Sequence, residues 1–458
     1  MKRSRHLYWS RAGAIAGVAA VAMIGLAAPS VAASSVAASG PVSPTPASQT
    51  PQLNATGSVE QIRQLVQCGA TMYAVGSFTS IKRNSTVYTR DNVVSFSAVA
   101  PYQVSTWAPD VNGTVNSITF SGASCADAYI GGQFTSVNGT TARNIAEIST
   151  STGAVVTAFG HTASAQVETL LGYDGHILAG GYYTTINGST ADPYMTSLNA
   201  TTGKDDGFVH LGISGNYSYA PSNPTRVYNQ QLNHGGTLDL VEGDFTSVGG
   251  VQREQIFMLS LSGTTAAVTG WTSPEFDGSQ SQSASAYQCY PTEAFYLRAA
   301  SWSPDDSTIY TASTGYHPNG TSDKAARTGL CDSAAAFPAT QASVSDLWIN
   351  YTGCDSLYST AADASAAYFG GHERWTENGN GCDAAGSGAI AAQGMEALSP
   401  GTGLVLTNPP AYTRGRGEGA DDMLVTSAGL WIASDNDTNT NSCGGVSGHA
   451  GICFLPYP

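Results

Sequence analysis

The stretch Tyr129-Ile130-Gly131-Gly132-Gln133-Phe134-Thr135-Ser136-Val137-Asn138-Gly139 returns, altered, six more times along the chain. The copies lie at residues 73–78 (YAVGSF), 178–183 (LAGGYY), 240–245 (LVEGDF), 310–315 (YTASTG), 368–373 (YFGGHE) and 431–436 (WIASDN). Each alternates apolar with small or polar residues, ends in a turn and is too short for a helix, so each predicts a β-strand. The glycines put little bulk where backbones crowd, which predicts an inner strand close to an axis where sheets converge. Counted at the third residue of each copy (Val75, Gly131, Gly180, Glu242, Ala312, Gly370, Ala433), the spacings are 56, 49, 62, 70, 58 and 63 residues.

Other pieces recur around this strand in fixed order. A first strand carries Val115-Asn116-Ser117-Ile118, Val167-Glu168-Thr169-Leu170 or Ala299-Ala300-Ser301-Trp302. A third strand follows at 144–150, 194–200, 256–261 and 393–398. Turns such as Thr201-Thr202-Gly203 lead to a fourth, outer strand bearing Trp107, Trp271 or Trp348, whose rings can cover the space between widening sheets. A period of this size with about four strands per unit predicts an all-β fold: a seven-bladed β-propeller of four-stranded antiparallel blades. A propeller must close to hide its edges, so the last blade is expected to dock on the N-terminal strand near 59–66.

The 458 residues are poor in charge and rich in glycine, which suits an exported all-β protein. Residues 1–33 read as a signal peptide: Lys2, Arg3, Arg5 and Arg11 precede an apolar core at 12–28 and the small residues Ser30-Val31-Ala32-Ala33. Residues 34–55 read as a disordered Ser/Ala/Pro/Thr linker, and 56–458 as the propeller domain. Removing the leader takes away four cations and shifts the net charge from −15 to −19. Such a charge repels phosphate backbones, so nucleic acid is not expected as a partner. A secreted monomer that does not stay on the membrane is expected.

The eight cysteines suit disulfides in an oxidising compartment. The repeat register suggests Cys68–Cys125, Cys289–Cys331, Cys354–Cys382 and Cys443–Cys453. No pair has the CxxC spacing of a zinc site.

Repeats of the form GGxFxxVxG…R…TG resemble those of secreted actinobacterial repeat propellers, related to delta-60-type and kelch-like repeat proteins. The resemblance covers about residues 60–458. Its nearest parts are Thr352-Gly353-Cys354-Asp355-Ser356, Gly370-Gly371-His372-Glu373-Arg374-Trp375, Arg414-Gly415-Arg416-Gly417, Gly429-Leu430-Trp431-Ile432-Ala433-Ser434-Asp435 and Phe454-Leu455-Pro456. It implies fold and export and leaves activity open.

Side chains alternate along a strand, so the residue two after each anchor shares one face: Ser77, Gln133, Tyr182, Asp244, Thr314, His372 and Asp435. On an inner strand these seven would ring a central tunnel, either as a ligand site using Asp244, His372 and Asp435 or as a solvated lining. Asp435, Asp437, Asn439 and Asn441 alternate oxygen ligands as a calcium loop would, but without the Gly and distal Glu of an EF-hand. Calcium is the one cofactor the sequence suggests. Arg374 with Glu373 reads as an ion-pair lock between blades, and Asp305-Asp306 and Asp421-Asp422 as turn residues. No GxSxG, HExxH, GxGxxG or P-loop is present. The expected function is an extracellular binding or scaffold module for a glycan, cell-wall polymer or protein. The alternative is a polysaccharide-active enzyme, a hydrolase or lyase, with acids at the tunnel mouth.

Overall fold

The computed structural model describes residues 41–458 apart from 123, 217–223, 277–295, 316–328, 393, 407–411, 414–418, 437–441, 444–445 and 448. The expected signal peptide, the Arg414–Gly417 motif and three of the four calcium-loop residues, Asp437, Asn439 and Asn441, lie outside the described residues. The fold is all-β: no α-helix occurs among the described residues, only a 3-10 turn at Pro274–Phe276.

Each of the seven repeated stretches is the second strand of an antiparallel sheet. Sheet one is built from Gln61–Cys68, Thr71–Ser77 and Val93–Ser97. Sheet two has Thr114–Thr119, Asp127–Gln133 and Ile145–Ser149. Sheet three has Val167–Tyr173, His176–Gly181 and Met195–Asn199. Sheet four begins with Arg226–Leu232, Leu238–Asp244 and Ile256–Ser260, and sheet five with Tyr296–Trp302, Thr308–Thr314 and Ser333–Pro338. Sheet six has Leu357–Ala362, Ala367–Gly371 and Met395–Leu398, and sheet seven Ala420–Thr426, Gly429–Ser434 and Ile452–Pro456.

The tail of the repeated motif is a hairpin of its own. Ser136–Val137 folds back on Thr140–Thr141, and Asn138 and Gly139 take φ of 49° and 74° at its turn. Both central residues of such a turn need positive φ, which is why Asn-Gly stands there.

The uniform fourth strand expected of every unit is not found. Only sheets four and five carry one, Ala267–Val268 and Trp348–Tyr351. In sheets one, two, three and six it shrinks to a single bridge, such as Phe96 with Val104 or Ile148 with Val155. Each of the three tryptophans expected on the outer strand adds one side-chain bond across to the next sheet. Trp107 Nε1 donates to Ser149 O at 3.0 Å, Trp271 Nε1 to Pro338 O at 3.0 Å and Trp348 Nε1 to Pro400 O at 2.9 Å. All three rings are buried.

Residues 41–53, expected within a disordered linker, are instead packed down. Ser43 and Ala47 donate their backbone N–H groups to Pro456 O and Phe454 O at 2.8 Å, and Gln52–Leu53 pairs with Ser80–Arg83 beside sheet one. Val42, Thr50 and Leu53 are buried, which is how a Ser/Ala/Pro/Thr stretch acquires order: three anchors suffice to dock it. This strap covers the outer edge of the last sheet, while the N-terminal strand meets that sheet from the inner side as expected: Gln61 bridges Asp435, and Glu60 N–H donates to Asn436 Oδ1 at 2.7 Å.

The first strands of the seven sheets touch in cyclic order. Ile118 N–H donates to Gln64 Oε1 (2.7 Å) and Leu170 N–H to Ser117 Oγ (3.0 Å). Gln230 Nε2 donates to Thr169 Oγ1 (3.4 Å), and Tyr228 OH to Leu297 O. Ser301 and Thr360 share a hydroxyl bond (3.1 Å), Ser359 Oγ donates to Ala420 O (2.7 Å), and Leu65 N–H donates to Asp422 Oδ2 (2.8 Å), which returns from sheet seven to sheet one.

Three of the suggested disulfides are present. Cys68–Cys125 (Cα–Cα 5.9 Å) joins sheet one to the segment leading into sheet two, Cys354–Cys382 (4.6 Å) joins two loops flanking the first two strands of sheet six, and Cys443–Cys453 (5.5 Å) ties the short strand Ser442–Cys443 to sheet seven. Cys331 is disulfide-bonded, and Cys289, the partner suggested for it, lies outside the described residues.

Candidate functional site

The pairing of first and second strands slips by one residue in every sheet. The skipped residues are Arg63, Asn116, Glu168, Tyr228, Arg298, Tyr358 and Asp421. A β-bulge of this kind re-aims one side chain out of the regular alternation. All seven line one cavity of about 560 Å³, walled by the first strands of all seven sheets.

The repeated glycines make room for these bulges. The second glycine of the motif lies opposite the residue just before each bulge. A Cβ at Gly132 would stand 2.2 Å from Thr114 O, and one at Gly371 2.3 Å from Ser356 O. In sheets five and seven Ser313 and Ser434 hold this place. The first glycine serves the neighbouring sheet: a Cβ at Gly131 would meet Val167 Cγ1 at 2.6 Å, and one at Gly370 would meet Met423 Cε at 2.5 Å.

Within the cavity the charged groups are knitted to aromatic and amide neighbours. Arg63 Nη1 donates to Asn116 Oδ1 at 3.0 Å. The Arg226 guanidinium lies 4.9 Å from the Tyr182 ring centre and 5.1 Å from that of Tyr228, and also donates to Tyr182 OH. Arg298 lies 4.7 Å over the Tyr358 ring. Each is a cation–π arrangement, which holds a guanidinium without neutralising it. Burial pushes the Glu168 carboxyl up, while Arg226, Arg63 and Arg298 pull it back down. Burial also raises the Tyr228 phenol. Behind the wall, burial pushes Glu242 up to about 8 against hydrogen bonds from Asn229 and the Ala300 N–H. Asp422, next to the bulge in sheet seven, is pushed up to about 6 by desolvation against the Leu65 and Met423 N–H groups.

The seven residues expected around the tunnel sit one strand further out. The glycine strand is second in its sheet, so the first strand screens it from the cavity. Ser77, Gln133, Tyr182, Asp244, Thr314, His372 and Asp435 stand at or just beyond the ends of the second strands, and none lines the cavity. Four touch residues that do: Tyr182 meets Arg226, the His372 ring lies 4.8 Å from that of Tyr358, and Asp244 and Thr314 pair across the ladder with Arg226 and Tyr296. Asp244 and Asp435 are buried, and Asp435 Oδ2 accepts from Gly419 N–H at 3.3 Å.

Arg374 pairs with Asp355, through Nε–Oδ2 (2.8 Å) and Nη2–Oδ1 (2.7 Å), and not with Glu373 as expected. Asp355 lies buried at the start of sheet six, close enough for the fork to close on it. Asp305 and Asp306 are turn residues as expected. Asp421 and Asp422 are not; they form the bulge of sheet seven. Among the described residues no group of three or more His, Cys, Asp and Glu is gathered as a metal would need, and no helix is long and apolar enough to cross a membrane.

No family model matches the chain, and no curated protein matches it. Among solved structures it is similar to the computationally designed Ika8 protein, with a TM-score of 0.44 and 9% identity over 90% of this chain and 99% of that one. It is also similar to the WD40 β-propeller domain of Doa1, with a TM-score of 0.39 and 8% identity over 84% of this chain and 94% of that one.

Proposed function

We propose that the chain is a secreted seven-bladed β-propeller that acts as an extracellular binding module for a glycan or cell-wall polymer, with its site in the cavity. The observation that carries the reading is the ring Arg63, Asn116, Glu168, Tyr228, Arg298, Tyr358 and Asp421, one bulged side chain from each sheet, around one space. A binding site needs convergent polar groups on rigid elements, and first strands hydrogen-bonded to both neighbours are such elements. Tyr182 and His372 form a rim behind the ring. The leader-like residues 1–33 and the three disulfides support export.

A second reading, a polysaccharide hydrolase or lyase, is favoured by Glu168 and Asp421 sharing the cavity and by the raised carboxyl of Glu168. A pull-down of the secreted protein on insoluble polysaccharides and purified cell walls, with the supernatant assayed for released sugar, separates the two. Retention without release is the expected result. Release abolished by Glu168→Gln makes the protein an enzyme. Absence of both leaves a protein ligand at the loops. An EDTA arm tests the expected calcium at Asp435, Asp437, Asn439 and Asn441.

A further inference from the structure

Three arginines, Arg63, Arg226 and Arg298, meet in one cavity of a protein whose net charge is −15. Like charges gathered in a partly enclosed space repel one another, and a counter-charge normally stands among them. Here the carboxylates that share the cavity, Glu168 and Asp421, form no salt bridge with them: the salt bridges among the described residues fall on His176, His210, His234 and Arg374. The guanidiniums also keep donors in hand. A guanidinium has five; Arg63 spends one on Asn116, Arg226 one on Tyr182, and Arg298 rests on the Tyr358 ring. Arg226 Nε is buried and makes no hydrogen bond among the described residues.

We propose that the cavity binds an anionic saccharide, whose carboxylate or sulfate is held by Arg63, Arg226 and Arg298. This deepens the binding-module reading and rests on it. The planar fork of arginine matches the two oxygens of such a group. The saccharide part follows from the remaining lining. Asn116, Gln166 and Gln231 bring amides to the wall, and Tyr228 and Tyr358 bring rings. That wall suits a polyhydroxylated ring and gives an apolar ligand little to cover. The volume lies in the usual small-molecule range of about 300–1,000 Å³, which fits a short segment of a chain. Glu168 faces the same three cations and competes with the ligand anion.

The test is titration calorimetry of the purified secreted protein with three probes: oligogalacturonate, a sulfated oligosaccharide and neutral cello-oligosaccharide. Either acidic probe should bind at least about tenfold more tightly than the neutral one, and less tightly as salt is raised. Which acidic probe binds identifies the anionic group. Arg63→Gln and Arg298→Gln, both at exposed side chains, should each weaken binding by about tenfold with an unchanged melting temperature. Glu168→Gln should strengthen it several-fold, an effect that misfolding cannot mimic. Neutral sugar bound as tightly as acidic sugar, or Glu168→Gln weakening the acidic probe as the arginine variants do, overturns the anionic assignment and leaves the binding module standing. No retention on any polysaccharide and no heat with any probe overturns both.

Discussion

The innermost and outermost layers of this molecule solve opposite problems. In the first strands the backbone is constant and the side chains differ. All seven slip by one residue at the same place, and that place holds Arg, Asn, Glu, Tyr, Arg, Tyr and Asp in turn. At the outer edge the backbone differs and the task is constant. A full strand, a single bridge or the N-terminal strap each seals a sheet, often with a tryptophan bonded to the next one. Variation in side chains over a fixed frame marks the layer free to acquire chemistry. Variation in frame over a fixed purpose marks the layer that holds the molecule together.

That contrast predicts large stability effects outside and small ones inside. Removing residues 41–53 strips Val42, Thr50 and Leu53 from the last sheet, and should lower the melting temperature by on the order of 10 °C. A truncated protein that melts with the full one would show that the strap is dispensable. Trp271→Ala empties a fully buried site and should cost about 3–5 kcal/mol in urea unfolding. Gly132→Val forces a side chain onto Thr114 O and should cost about 3 kcal/mol. It should also disturb the placement of Asn116, linking the frame to the ring.

Acidity should act on the whole frame. Burial pushes Glu147 and Glu275 up to about 7, Glu396 and Glu242 up to about 8, and Asp422 up to about 6. A carboxyl raised on folding supports the fold fully below its unfolded value, about 4, and that support is lost as pH rises through the folded value. The melting temperature should therefore drop between pH 5 and pH 9, by on the order of 5 °C. A flat or rising profile over that window would contradict the assignment. The smallest effect belongs to the ring: Arg63→Ala should change stability by less than about 0.5 kcal/mol, which chemical denaturation can check, because its side chain faces the cavity and carries little of the packing.

The strands were legible in the sequence because alternation and glycine turns are local signals. The position of the glycine strand within its sheet was not, because low bulk is needed wherever backbones crowd. Gly131 meets a neighbouring sheet and Gly132 meets its own partner strand, and neither need requires the innermost place. As a result Asp244, His372 and Asp435 were expected to line the central space, and the bulged residues of the first strands line it instead. A local signal for those does exist. Ile62-Arg63-Gln64, Val115-Asn116-Ser117, Val167-Glu168-Thr169 and Leu357-Tyr358-Ser359 share an aliphatic residue followed by two polar ones. Simple alternation would place the two polar residues on opposite faces. Only a bulge lets the first enter the cavity and the second bond the next sheet, as Gln64 and Ser117 do. The strap was missed because its three anchors are scattered in a composition typical of free linkers.

The strap also orders events in time. Thr50 Oγ1 bonds Ile452 O across a sequence separation of 402 residues, nearly the whole chain. Contacts of such range form late. A chain synthesised from its N-terminus must therefore hold residues 41–53 unpaired until its last strand has arrived. Ser43 then lies against Pro456, so in a protein trimmed to residues 41–458 a short linker could join these positions and new ends could be cut in a surface loop elsewhere. In such a circular permutant the strap and the last strand would be neighbours in sequence, and the slowest step of assembly would become a local one.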